Sequence, residues 1–376
     1  DRFVNQGAVM GDSFGLENVL WFANNKEDAY EEPTIKRSRS HDYVSREVIN
    51  VRENVGLIEV ANFSKHEFKG TDARKFLDHV MAGKLPKPGR ISLSPMLSYR
   101  GKLCGDLTVA CFDENEFMVF GSGAAQEMHR RWFESHLDKF DVNYKNRSDE
   151  FHGISIAGPN SRKVLEKIVR DNVTNEKFKF RDSRRMFVGG VPAIINRISF
   201  TGELGYEIYV APHYQIKLYE ELMEAGKEFN IKPFGGRALM SMRLEKNWGA
   251  WTLDYRPDFT AKETGLDMFI NWDKDFIGKE KAKSENSSNK LTPLIVETND
   301  IDVTSNEAVM NGDQSIGYVT SGGFAHFVNK SVAFTFIDQN KIKSENKIQI
   351  EINGDLFNCS VIKEPLYDPN GQKMRS

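Results

Sequence analysis

Two stretches of the chain carry the same pattern of apolar and polar positions. Residues 66–80 (HEFKGTDARKFLDHV) and 154–168 (ISIAGPNSRKVLEKI) each read as a strand, then Gly, two variable residues, Ala or Ser, Arg-Lys and a helix. In the first helix Phe76, Leu77, Val80 and Met81 share a face, and in the second Val164, Leu165, Ile168 and Val169 do so. That is the spacing of an amphipathic helix laid on a sheet. Gly70 and Gly158 mark the strand-to-helix turns, and Pro159 suits a first helical turn. The matching context predicts two similar α+β subdomains.

Between the two echoes, residues 91–121 read as hairpins. A helix is expected over about 124–140, with Met128, Trp132, Phe133, Leu137 and Phe140 turned inward. Residues 193–212 read as a further hairpin with "TGELG" at its tip, and helices are expected over about 213–228 and 235–247. The polar stretch 281–290 (KAKSENSSNK) reads as a linker. Beyond it come short alternating strands such as "SIGYVTSGG" and "KSVAFTFI", the pattern of an all-β sandwich or barrel. The fold class is therefore α+β, with two ferredoxin-like-type α/β subdomains and a C-terminal all-β domain. Expected boundaries are a lead-in over 1–50 packed on the core, subdomains over 51–150 and 151–285, and the β domain over 286–376.

Length and composition narrow the functional classes. At 376 residues the chain exceeds what one core usually supports. Its net charge of −3, without a Lys/Arg-rich run, gives no reason to expect nucleic acid as a partner. No run approaches the roughly 18 apolar residues of a membrane span, so no membrane is expected as a partner. The start, "DRFVNQGAVMGDSFG", lacks the basic-then-apolar pattern of a signal peptide and an initiator Met, so a processed chain or a piece of a longer one is expected. Cys104, Cys111 and Cys359 show no CxxC spacing, which points to a reducing compartment. The expected location is the cytoplasm, with the mitochondrial matrix as the alternative.

Chemistry is suggested in two places. In "GDLTVACF" alternation turns Leu107, Val109 and Cys111 to one face and Asp106 and Thr108 to the other. A carboxylate and a hydroxyl two apart can grip a polar ligand head, although the plainer reading is a turn carboxylate facing water. In "SFTGELGYE", Tyr206 and Ile208 share one face, Glu207 and Tyr209 the other, and Phe200 supplies a ring near Glu207. A ring plus a carboxylate suits a flat, amide-like heterocycle. The plainer reading is a well-made hairpin with Phe200 in the core. Arg237, Arg243, Glu245 and Lys246 read as a solvated helix face with local ion pairs, and His326 as a structural histidine beside a Gly turn. No metal-ligand spacing, GxSxG elbow or P-loop is present, and no GxGxxG follows a strand, which excludes Rossmann-type dinucleotide binding.

Taken in order, "REVINVRENVGLIEVANFSKHEFKG" (46–70), "PGRISLSPMLSYRGKLCGDLTV" (88–109), "TGELGYEIYV" (201–210), "GGRALMSMRLEK" (235–246) and "GYVTSGGFAHFVNKS" (317–331) resemble the glycine-cleavage T-protein family of folate-dependent aminomethyltransferases. The likeness is greater to the C-terminal, folate-binding half of dimethylglycine and sarcosine dehydrogenases. It is carried by "NQGAVMGDSFGLENVLWFA" and "RALMSMRLEK". It implies a folate-binding core and one-carbon transfer to tetrahydrofolate from a methylated amine or its iminium product, giving 5,10-methylenetetrahydrofolate. It also implies a FAD oxidase domain or partner outside these residues, since they offer no FAD site.

By the same resemblance Asp106 is the catalytic carboxylate at the folate's reacting nitrogens, Thr108 assists it, and Glu207 receives the pterin. Tyr206, next to Glu207, joins the implied contacts. Phe200 stands where the family usually has Tyr, which keeps stacking and loses a hydrogen bond. The tail-binding arginine of free-standing T-proteins aligns near Leu239, leaving Arg237 as a shifted candidate. Two other classes share the pattern: a methyl-transferring demethylase, and a non-catalytic folate protein of iron–sulfur maintenance. The cysteine typical of the latter is missing from "DKDFIGKEKA".

Overall fold

The computed structural model describes residues 2–13 and 15–376. Its N-terminal segment runs through a short helix α1 (Arg2–Asn5) into the antiparallel ribbon β1 (Ala8–Ser13) and β2 (Leu16–Phe22). Helix α2 (Ser40–Glu53) follows and leads directly into β3 (Val55–Glu59). Trp21 and Val9 of the ribbon bury themselves against Val44, Val48 and Val51 of α2, which anchors the lead-in on the body of the protein.

The first sheet is built from β4 (Ser64–Lys69), β5 (Arg90–Leu97), β6 (Leu103–Asp113), β7 (Glu116–Gly121) and β8 (Asn143–Asn146), in the order β5-β6-β7-β4-β8. Helices α3 (Ala73–Val80) and α4 (Gln126–Glu134) cover one face. Phe76, Leu77 and Val80 of α3 meet Leu107, Val109 and Phe117 there in one buried cluster. The second sheet holds β9 (His152–Ala157), β10 (Ser183–Val188), β11 (Val191–Asn196), β12 (Gly205–Val210) and β13 (Ile231–Pro233), together with β3, in the order β10-β11-β12-β9-β3-β13. Helices α5 (Ser161–Ile168) and α6 (Gln215–Gly226) cover it with Val164, Leu165, Leu218 and Leu222.

The sequence echo is therefore structural: β4-Gly70-α3 and β9-Gly158-α5 are the same strand–turn–helix unit. Both glycines sit at positive φ, 145° and 131°. A Cβ there would lie 2.2 Å from the Asp141 carbonyl oxygen and 2.5 Å from that of Asn54. Only glycine permits so close a backbone approach.

Helix α7 (Gly236–Glu245) leads through residues 246–260 and the short helices α8 (Ala261–Thr264) and α9 (Lys279–Lys283) to the last domain. This is a closed barrel of β14 (Asn289–Val296), β15 (Ala308–Asn311), β16 (Gln314–Ala325), β17 (Lys330–Asp338), β18 (Ile348–Ile352) and β19 (Asp355–Val361), ordered β14-β17-β16-β15-β18-β19. Pairing of β14 with β19 closes it, which settles barrel over sandwich.

Three expectations need correction. Helix α4 stops at Glu134 rather than reaching 140, and the chain turns so that Leu137 and Phe140 pack from a loop. Its buried residues are His129 and Phe133, while Met128 is exposed. The helix bearing Arg243 and Glu245 presents no solvated face at these positions, because both side chains are fully buried in ion pairs.

Candidate active site

Strand β6 alternates as its sequence requires: Leu107 and Val109 go into the helix-covered core, while Asp106 and Thr108 stay half-buried on the opposite face. That face carries Ala110 and, across the ladder, Met118 and Phe120 of β7. Thr108 pairs directly with Phe120, and Phe120 with Lys65 of β4, so the three side chains form one cross-strand row.

The second sheet meets this face. Ile194 of β11 and Tyr209 of β12 join Ala110, Met118 and Phe120 in one buried cluster, with the Tyr209 ring 4.7 Å from that of Phe120. Two residues from Tyr209 on the same face stands Glu207. The Tyr209 hydroxyl donates to Glu207 Oε2 at 2.8 Å, and Oε1 has no hydrogen-bond partner among the described residues. Asp106 and Thr108 therefore lie on the face of the first sheet that carries Ala110, and Glu207 on the face of the second that carries Tyr209. Those two faces pack together in this cluster, along the seam between the sheets.

The seam is electrostatically unusual. Burial pushes the Asp106 carboxyl up to about 7, opposed only by its own backbone N–H. Asp106 nevertheless keeps accessible surface. The combination describes a carboxyl crowded by protein on most sides and open on one. Burial likewise raises Glu207 to about 7, against the pull of the Tyr209 hydroxyl and of Lys65. Lys65 falls to about 8 through burial, although Asp149, Glu207 and Glu59 favour its charged form. Its ammonium group donates 2.7 Å to the Ala61 carbonyl. The Tyr255 hydroxyl is held undissociated by burial and by the Asp106 carboxylate. Two carboxyls poised near neutrality can each accept a proton and return it.

The remaining residues singled out in the sequence fall elsewhere. Phe200 lies not on a strand but in the loop 197–204, stacked on Trp248 at 5.8 Å. Tyr206 faces away from Glu207 into the core of the second subdomain, stacked on Phe178 at 5.8 Å. Alternation along β12 forbids it from sharing Glu207's seam. Arg237 bonds Ser40 Oγ at 2.6 Å and pairs with Glu31, at a cleft of about 460 Å³ that also exposes His41, Phe324 and His326.

Sequence reasoning missed the support of loop 197–204. Buried Arg52 donates 2.7 Å to the Thr201 carbonyl, 3.0 Å to Glu203 and 2.6 Å to Glu245, and its guanidinium lies 3.8 Å from the centroid of the Tyr367 ring. Arg243 pairs with Asp254 at 2.8 Å, and Asp254 also receives the hydroxyls of Thr320 and Ser321 from the barrel. These partners come from α2, the 203 loop, residue 254, the barrel and the C-terminal segment, so no local spacing announces them. Among the described residues no cluster of three or more His, Cys, Asp or Glu could hold a metal ion, and no helix is long and apolar enough to cross a membrane.

Comparison with known proteins follows the same outline. The chain matches the GCVT N-terminal domain over residues 1–274 and the glycine cleavage T-protein C-terminal barrel domain over 289–368. It is 34% identical over 365 residues to the mitochondrial dimethylglycine dehydrogenase of Mus musculus, covering 95% of this chain and 42% of that protein. It is 28% identical over 330 residues to the aminomethyltransferase of Thermoanaerobacter pseudethanolicus, covering 86% of this chain and 89% of that protein. The glycine cleavage system aminomethyltransferase T of Bartonella henselae shares the fold, with a TM-score of 0.84 at 20% identity over 98% of this chain and 96% of that one. The chain spans about two-fifths of the dimethylglycine dehydrogenases it matches. By the match of both domains in order, it belongs to the glycine cleavage T-protein family.

Proposed function

We propose that this chain is a tetrahydrofolate-dependent one-carbon transferase whose reacting site is the seam between the two sheets. The observation that carries the reading is that two carboxyls raised by burial, Asp106 and Glu207, stand on the faces of the two sheets that pack together through Phe120 and Tyr209. The residues fit a reduced pterin. Glu207 Oε2 is engaged by Tyr209, and Oε1 remains to accept ring N–H and amino donors. Phe120 and Tyr209, both buried, pack on each other behind Glu207 and fix the wall from which it presents Oε1. The folate supplies nucleophilic nitrogens when bound.

In this reading Asp106 orients those nitrogens and takes the proton released as the first bonds the iminium carbon. It returns that proton to the donor amine, which leaves as its bond to that carbon breaks and the second folate nitrogen, losing its own proton, closes the methylene bridge. Its pKa near neutrality suits both directions of that transfer. Ionised, it also steadies cationic charge on an iminium donor. Thr108 adds a hydroxyl on the same wall, and Phe200 contributes from its loop beside Trp248. Arg237 is proposed for the tail carboxylates, where it would exchange its pairing with Glu31. The donor is a methylated amine, the class named in the dimethylglycine dehydrogenases, oxidised in this reading by a FAD domain or partner, and the product is 5,10-methylenetetrahydrofolate.

Calorimetric titration with tetrahydrofolate tests the reading. The wild-type chain should bind, and Glu207→Ala should bind much more weakly. A wild-type chain without folate binding would refute it.

A further inference from the structure

Strand β6 does not run evenly into Asp106. Its register with β5 slips between Met96 and Leu97, since Met96 faces Gly105 while Leu97 faces Leu103. Cys104 is left without a partner across the ladder, as the extra residue of a β-bulge two positions before Asp106. A bulge bends its strand and re-aims the side chains that follow. It also leaves backbone groups that the ladder no longer satisfies.

One side chain satisfies this bulge. His129 of α4 is 1% exposed, and its Nε2–H donates to the Cys104 carbonyl at 3.0 Å. Its Nδ1 is buried without a partner, as expected of a neutral imidazole whose only proton is on Nε2. Burial holds the ring neutral, with its pKa pushed down to about 4.

The seat for this ring is built by absence. A Cβ on Gly105 would lie 2.9 Å from His129 Nε2, and one on Gly121 would lie 3.0 Å from Nδ1. Two adjacent strands thus both carry glycine where the imidazole approaches. The ring is further enclosed by His66 at 6.1 Å, Phe133 at 6.5 Å and Trp251 at 6.2 Å between centroids.

We propose that His129 is a positioning residue for Asp106: by holding the Cys104 carbonyl from beneath the sheet, it fixes the bulge that aims the carboxylate into the seam. The proposal rests on the functional reading above for its effect on transfer, but not for its effect on Asp106 itself. Removing the donor orphans a buried carbonyl, and the bulge relaxes toward another pairing. The side chain that follows then loses its aim. Glutamine can place an amide N–H where Nε2 stands, whereas leucine fills the space and donates nothing.

The test compares His129→Leu and His129→Gln with wild type in three measurements. The first is the Asp106 titration, followed by NMR of protein carrying carbon-13-labelled aspartate. The second is tetrahydrofolate affinity by calorimetry. The third is the rate of methylenetetrahydrofolate formation from an iminium made by mixing formaldehyde with sarcosine, taken above the uncatalysed background. In His129→Leu the Asp106 midpoint should move toward the ordinary carboxylate range, with affinity within about threefold and the rate down by about tenfold or more. His129→Gln should recover both midpoint and rate. A Leu variant with wild-type midpoint and rate would overturn the proposal, as would a Gln variant as impaired as Leu.

Should His129→Leu fail to fold, Gly105→Ala crowds the imidazole without deleting it and should shift the Asp106 midpoint the same way; an unmoved midpoint there also overturns the proposal. The titration needs no folate. A wild-type chain that binds none would sink the functional reading and leave the placement of Asp106 still decided by this measurement.

Discussion

The hydroxyl of Tyr209 donates a 2.8 Å hydrogen bond to Glu207, two residues away on the same face of one strand. The same ring rests on Phe120 of the other sheet, so a single side chain both ties the two subdomains together and occupies one oxygen of the candidate pterin-binding carboxylate. The consequence is a Glu207 with one committed and one available oxygen. Tyr209→Phe keeps the ring contact and frees the committed oxygen. It should lower stability by about 1 kcal/mol, the net worth of a buried hydrogen bond, and weaken tetrahydrofolate binding through loss of orientation. Urea denaturation and calorimetry read the two effects separately.

Glu207 should leave a signature in the pH dependence of stability. Burial raises its carboxyl from 4.5 to about 7, so the fold holds the proton more tightly than the unfolded chain does. Its contribution is fully present below about pH 4.5 and is lost as pH rises through about 7. Glu207→Gln keeps an acceptor for Tyr209 without the charge. The variant should gain on wild type steadily between pH 4.5 and 7.5, by about 1–3 kcal/mol at the upper end, in denaturation midpoints measured across that range. A constant difference would mean that the carboxyl titrates normally.

The Arg52 network makes a third expectation. Arg52, Glu203 and Glu245 are all buried, and removing the guanidinium strands two carboxylates in the interior. Arg52→Ala should destabilise the chain by about 3–5 kcal/mol. Breaking the exposed Lys36–Asp300 pair by Lys36→Ala should leave the denaturation midpoint close to that of wild type, because solvent screens both charges. Chemical denaturation of the two variants gives the comparison directly.

Gly158 supplies a fourth. Alanine there must hold φ at 131° and force its Cβ to within 2.5 Å of the Asn54 carbonyl oxygen. Gly158→Ala should cost at least about 1–3 kcal/mol. Gly70→Ala, at the equivalent turn of the other subdomain, should cost a similar amount and could be measured alongside it.

The parts of the fold that were legible are those written locally. The strand–Gly–helix echo survives because helix period, strand alternation and a positive-φ glycine each leave a mark within fifteen residues. Alternation also paired Asp106 with Thr108 and Glu207 with Tyr209. What stayed hidden depends on partners far apart in the chain. Arg243 and Glu245 look like surface charges until Asp254 and Arg52 are brought to them. Tyr206 could be set apart from Glu207 by alternation alone, and grouping it with the ligand contacts set that rule aside. His129 gives no signal in the sequence, because an apolar stripe through Met128 and Trp132 accounts for its helix, whereas the buried face runs one residue later, through His129 and Phe133.

The central claim, that Asp106 acts on a folate already held by the seam, is tested most directly by Asp106→Asn. The measurement pairs tetrahydrofolate affinity with the rate of methylenetetrahydrofolate formation from the formaldehyde–sarcosine iminium. Asp106→Asn should keep affinity within about threefold of wild type and lower the rate by about 10²-fold or more, the share of a positioned acid–base group. A variant that binds and transfers like wild type would contradict it.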